Sequence, residues 1–273
     1  MRNNQDRLGL NEPANLQPAS EAPVNNSVEF IVPTEIVELP SKGLFYDENH
    51  PLYHKESIEI KHMTTKEEDI LTNQSYIKNA SAVDRMLKSV LVDKKININD
   101  LLIGDKNAIT VASRIYGYGP DYETTYACPA CGTTQNTSFD LLEMENSDFE
   151  ENAKEFDAVY DYDAQLIKFT IPRTKTNLEL KLLKEQTEKQ TKKTKSGAIS
   201  NFYQKIIHSV NGNTDPRYIK SYIASMSALD SRYLRSAYQK IIPGVDMNCD
   251  FQCSNCGHEE NVEVPLNAEF FWP

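Results

Sequence analysis

The sequence predicts an α+β fold: small antiparallel β elements and short helices arranged around two cysteine knuckles far apart in the chain. Three observations predict it. Apolar residues alternate in several short runs, as half-buried strands require, and recur at helical spacing in others. Pro, Gly and Asn punctuate these runs as turn signals. Finally, Cys128-Pro129-Ala130-Cys131-Gly132 recurs as Cys253-Ser254-Asn255-Cys256-Gly257. Each copy sits between a β-prone lead-in (122–127; 247–252) and a β-prone exit (133–141; 261–266).

Residues 1–27 are rich in Asn, Gln, Pro, Ala and Ser. They hold too little apolar surface to offset the entropy of ordering, so a disordered N-terminal arm is expected, either a plain tail or an arm that orders against a partner subunit. Order begins at the β-rich run Val28–Val32. In Glu35–Tyr46 the Pro40-Ser41-Lys42-Gly43 centre reads as a turn, with proline fixing φ and glycine allowing a positive φ. Ser57–Lys61 alternates as a strand, so a small antiparallel element opens the folded part. Three short helices follow, about Thr65–Asn73, Ser81–Val92 and Gly104–Gly117. Thr64 and Glu67 have capping-box spacing. The carboxylates of Thr65–Asp69 suit a solvated helix N-terminus better than an acid/base pair. Val83, Leu87, Val90 and Leu91 share one face of the second helix. This β-element plus helical domain spans 28–118.

Glycines and Pro120 break the third helix, and tyrosines there suit a core edge or interface rather than base stacking. Beyond the first knuckle, the acidic stretch Glu143–Asp163 reads as a loop. Gln165–Pro172 and Asn177–Leu182 alternate and form a hairpin. Lys184–Lys195 reads as a polar helix with five lysines, a solvated face or subunit contact before a nucleic-acid contact. Ile199, Phe202, Ile206 and Val210 form a helical stripe over Ala198–Val210, which stops at Asn211-Gly212-Asn213. Helices over Pro216–Ser225 and Ser227–Ile242 complete an inserted hairpin and helical subdomain, 142–246. The aromatic C-terminal tail, 267–273, is expected to dock its rings on the protein's own core or in a neighbouring subunit.

Two cysteines separated by two residues let one tight turn aim two thiolates at one point, and the glycine after them supplies an open backbone angle. Two hairpins giving four thiolates to one tetrahedral Zn²⁺ make a zinc ribbon. A ribbon usually separates its pairs by about 15–20 residues, whereas here 121 residues, 132 to 252, intervene. The reading is a split four-cysteine zinc ribbon, 119–141 with 247–266, whose metal ligands are Cys128, Cys131, Cys253 and Cys256. Four unligated thiols or two disulfides are the alternatives; two copies with matching flanks arise rarely by chance and favour zinc. Four cysteines close the coordination sphere, so the Zn²⁺ is structural. His258 and Cys249 are substitute ligands on paper and bystanders by this reading. The unpaired fifth cysteine suits a reducing cytoplasm.

The formal net charge is −11 and the pI about 5.0, which argues against sequence-independent binding to phosphate backbones. No run approaches the apolar length of a membrane span and no signal-peptide core is present, so a soluble intracellular product is expected. No Walker, glycine-rich dinucleotide or His-Glu-x-x-His motif occurs, and no enzyme is expected.

Taken together, Leu39-Pro40-Ser41-Lys42-Gly43-Leu44-Phe45-Tyr46, Met63–Leu71, Leu101–Ala108, the Cys128/Cys131 knuckle and Pro265–Pro273 resemble the baseplate hub proteins of T-even-type contractile-tailed bacteriophages. The resemblance runs from about Glu35 to the C-terminus. It implies a late viral structural or assembly protein, made in the host cytoplasm and placed in the virion tail baseplate. Its partners are then other phage baseplate or tail subunits, with a homo-oligomer open. The resemblance brings no catalytic residues, and the zinc reading rests on spacing alone. A nucleic-acid-binding zinc-ribbon accessory protein is the alternative, disfavoured by the acidic balance.

Overall fold

The computed structural model describes residues 31–184, 198–266 and 268–271. Its first strand, β1 (Thr34–Glu38), pairs antiparallel with β2 (Ser57–Lys61), Ile36 opposite Glu59. Residues 28–30 of the expected opening strand lie outside the described residues, and Ile31 and Val32 precede β1 without joining it. The turn after β1 follows the sequence: Lys42 N–H donates to the Leu39 carbonyl at 2.9 Å, and Gly43 has φ +71°. A Cβ at Gly43 would lie 2.4 Å from the Lys55 nitrogen, so space as well as backbone angle demands glycine.

Four helices follow: α1 (Thr65–Thr72), α2 (Gln74–Lys78), α3 (Ala82–Val90) and α4 (Ile103–Tyr118). Glu67 Oε2 accepts from Thr64 N–H at 2.9 Å and from its hydroxyl at 2.6 Å. Its other oxygen accepts from Ser89 of α3, so the cap also ties two helices together. Burial pushes the Glu67 carboxyl up, but these hydrogen bonds outweigh it and hold it below its ordinary value. The sequence reading missed α2, whose start is capped by the Asn73 side chain accepting from Ser75 N–H at 3.0 Å. On α3 the buried face is Ala82, Met86, Leu87 and Val90, with Leu91 just beyond and Val83 half-buried.

The turn and α4 are locked together by a buried polar knot. Asp105, fully buried, accepts from Ser41 N–H at 3.0 Å, the Ser41 hydroxyl at 2.6 Å and the Tyr46 hydroxyl at 2.7 Å. Tyr46 in turn accepts from Leu102 N–H at 3.0 Å. Its place in the first turn of α4 also favours a carboxylate. Burial nonetheless pushes the Asp105 carboxyl up, against the bonds from Ser41 and Tyr46. Replacing Asp105 by Ala strands three buried donors and is expected to cost about 2–4 kcal/mol, measured by chemical denaturation. Because the folded-state value is raised, the stability Asp105 contributes is complete in acid and lost as pH rises through that value. Asp105→Asn removes that slope.

Farther along the chain, β5 (Val159–Asp161), β6 (Leu166–Ile171), β7 (Thr176–Lys181) and β8 (Ile207–Val210) form one antiparallel sheet in that order. Ile167, Phe169, Ile171, Leu178 and Leu180 bury one face of it against α6 (Ala198–Ile206), α7 (Pro216–Ser225) and α8 (Ala228–Ile241). These helices and strands build a hydrophobic cluster of their own. A larger cluster gathers β1, β2, α3, α4, both knuckle hairpins and the chain's end. Val32–Pro273 forms one unit by contact.

Two expectations need correction. Glu143–Asp163 is not a loop: it holds α5 (Phe149–Glu155) and β5. Phe149 and Ala153, four apart, are buried on one face of α5, and Asp148 caps it by accepting from Glu151 N–H at 3.0 Å. The helical stripe to Val210 ends at Ile206, because Ile207 pairs with Leu180 and Val210 with Leu178 across β7. β-branched residues suit that strand. The Asn211-Gly212 turn stands where expected, with φ +51° and +79°. Phe270 and Phe271 take the first of the two docking places expected for the aromatic end, buried in the protein's own core. Of the expected lysine helix, residues 185–195 lie outside the described residues, as do Trp272 and the N-terminal arm.

Candidate metal centre

Each knuckle closes its own hairpin. β3 (Asp121–Ala127) pairs with β4 (Thr134–Asp140), Ala127 opposite Thr134, and β9 (Asn248–Gln252) pairs with β10 (Glu259–Glu263), Gln252 opposite Glu259. The second exit strand starts two residues earlier than the sequence suggested, at Glu259. The two turns have the same internal bonding. Gly132 N–H donates to the Cys128 carbonyl at 2.8 Å, and Gly257 N–H to the Cys253 carbonyl at 2.9 Å. Cys128 N–H reaches the Thr133 carbonyl at 2.9 Å, and Cys253 N–H the His258 carbonyl at 2.8 Å. Both glycines are left-handed, φ +72° and +70°. Two copies of one turn thus present two thiols each.

The hairpins meet with their knuckles facing. Cys128 and Cys253 are buried and Cys131 and Cys256 exposed, and the four Sγ atoms lie within 4.8 Å of one another. The cross-knuckle distances are 3.8 Å for Cys128 to Cys256 and 3.7 Å for Cys131 to Cys253. Four sulfurs around a metal at about 2.3 Å in tetrahedral geometry lie about 3.8 Å apart. The arrangement therefore fits one metal ion, and it does not fit a disulfide, whose sulfurs lie about 2.0 Å apart.

Electrostatics point the same way. Hydrogen bonds from Thr133, then Asn255, hold the Cys131 thiol well below its ordinary value. Cys256 is favoured as a thiolate by the backbone at His258, yet the neighbouring Cys131, Cys253 and Cys128 sulfurs push it well up. Thiolates this close repel one another, and a bound cation offsets that repulsion.

Residues that the sequence reading did not single out hold the hairpins in place. Asn255 Nδ2 donates to Thr133 Oγ1 at 3.1 Å across the gap. Gln135 Oε1 accepts from Ser254 N–H at 2.8 Å, and its Nε2 donates to the Gln252 carbonyl at 3.0 Å. The Tyr126 hydroxyl reaches Glu260 at 2.6 Å while its ring packs edge-on against Phe251, centroids 4.6 Å apart. Polar residues within and beside a knuckle were the only signal for this brace, and sequence gives no partner for any of them. His258 faces Glu260 at 3.6 Å, and Cys249 lies in β9 opposite Val262; neither joins the sulfur cluster.

Behind the first hairpin, Arg114 of α4 is buried and donates to three carbonyls: Gly119 at 2.7 Å, Asp121 at 3.0 Å and Phe270 at 3.2 Å. One guanidinium thus joins the end of α4, the start of β3 and the chain's end. Among the described residues no helix is long and apolar enough to cross a membrane.

A family model described as T4 bacteriophage base plate protein matches residues 33–272. No curated protein and no solved structure matches. The chain belongs to this baseplate family.

Proposed function

We propose that this T4-type baseplate protein is a structural or assembly component of the baseplate hub of a contractile tail, acting through protein–protein contacts. In this reading it is a late product, made in the host cytoplasm and carried into the virion tail. Zinc held by Cys128, Cys131, Cys253 and Cys256 serves structure: it ties the two hairpins into one ribbon and so pins the ends of the intervening segment. The observation that carries this reading is the convergence of four sulfurs from knuckles 121 residues apart, 132 to 252, within a chain matched to the baseplate family over residues 33–272. Four sulfur ligands leave no open coordination position for a substrate, which supports a scaffold rather than an enzyme.

Quantitative mass spectrometry of purified particles, beside tails assembled without this protein, tests the assignment. A few copies per particle, with baseplates lacking their centre in its absence, is the result expected of a hub subunit. The same assembly defect with no copies in particles identifies a transient assembly factor. Normal tails made without the protein would contradict both forms.

A further inference from the structure

We propose that a basic pocket between α1, α3 and the segment after α3 is a docking site for a short acidic segment of another tail subunit. The pocket has a volume of about 400 Å³. Lys66, Arg85, Lys88 and Lys94 line it against a single carboxylate, Asp93. That balance stands out in a chain of net charge −11. Among the described residues Lys66 and Lys88 form no ion pair, and Arg85 lies over the Tyr76 ring, 4.3 Å from its centroid. Glu67, nearby, is buried and already held by Thr64 and Ser89.

Lys94 is held in place against the repulsion of its cationic neighbours. Lys94 Nζ donates to the carbonyls of Leu91, Ser89 and Lys88 at 2.6, 2.9 and 3.2 Å, which fixes it over the C-terminal end of α3. Burial first, then the charges of Lys61, Lys66 and Lys88, push its ammonium below the ordinary value. A concave site that concentrates unpaired positive charge attracts an anion.

The floor selects among anions. Ile70, Leu91 and Ile96 line the pocket beneath the charged rim. A hydrated phosphate leaves that apolar surface uncovered, and a chain of net charge −11 disfavours a nucleic-acid backbone that runs beyond the pocket. A peptide with carboxylates on either side of one apolar side chain satisfies both the rim and the floor. The choice of a peptide rests on the protein–protein reading above; the pocket itself owes nothing to the metal centre.

The test is fluorescence anisotropy of the full chain with three labelled probes. These are a peptide of repeated Glu-Leu-Glu, the same peptide with Leu replaced by Ser, and a single-stranded oligodeoxynucleotide of equal charge. The Glu-Leu-Glu peptide is expected to bind saturably and more tightly than either other probe. Lys66→Glu combined with Lys88→Glu is expected to weaken that binding about tenfold or more while the melting temperature holds, since both side chains are exposed. Tighter binding of the oligonucleotide, equal binding of the two peptides, no saturable peptide binding at low salt, or undiminished binding by the double variant would each overturn the proposal. Failure of the hub assignment in particles leaves these curves unchanged, so the two readings fail separately.

Discussion

A Cys253→Ser chain is expected to purify without bound zinc and to melt early over a broad range. The loss reaches beyond one ligand. Cys253 is buried, and its sulfur sits 3.7 Å from Cys131 of the other knuckle. Without the ion, two separate two-stranded sheets meet through side chains such as Gln135, Asn255 and Tyr126. Two-stranded hairpins are marginal alone. Structural zinc in small sites contributes on the order of 10 kcal/mol of apparent folding energy. Even a third of that lowers the melting temperature by about 10 °C in a chain of this size. Cys249→Ser is the control and is expected to keep its zinc. Zinc content and calorimetry on both variants check this, and a Cys253→Ser chain that melts like the parent contradicts it.

Phe270→Ala and Phe271→Ala are expected to destabilise the isolated chain by about 3–5 kcal/mol each, as buried phenylalanines do. Both rings are buried, with Phe270 packed 5.3 Å from Tyr122 and 5.5 Å from Phe271, centroid to centroid. Tyr122 belongs to β3, so these rings press the first knuckle's hairpin against α4, where Arg114 also holds the Phe270 carbonyl. Denaturant unfolding of the purified single-site variants measures the effect. If their stability is unchanged while binding to tail subunits falls, the tail acts on a neighbour and its packing here has been misjudged.

What could be read from sequence divides by the range of the interactions involved. The cysteine spacing announced both knuckles because each turn is a local object: Gly132 and Gly257 sit where a positive φ is needed, and each hairpin pairs residues close in sequence. The Pro40–Gly43 turn, the Thr64–Glu67 cap and the Asn211-Gly212 stop were legible for the same reason. Asp105 was not. Nothing in Gly104-Asp105 shows that its partners are Ser41 and Tyr46, about sixty positions away. Val210 looked helical because its stripe continues at helical spacing, and only pairing with Leu178 turns it into strand. Phe149 and Ala153 were hidden among acidic residues that face solvent. The aromatic end was seen to need cover, but its cover, Tyr122 and the larger core, is a tertiary fact. The four cysteines could be grouped from sequence because two matching local motifs suit one shared tetrahedral ion, and the structure brings their sulfurs within 4.8 Å of one another.

The most direct measurement is metal analysis of the purified full chain, joined to X-ray absorption at the zinc edge. The account predicts about one zinc per chain with four sulfur neighbours at about 2.3 Å. A metal-free chain with the same cooperative melt, or a zinc bound by fewer than four sulfurs with water or histidine in their place, would contradict the closed structural site.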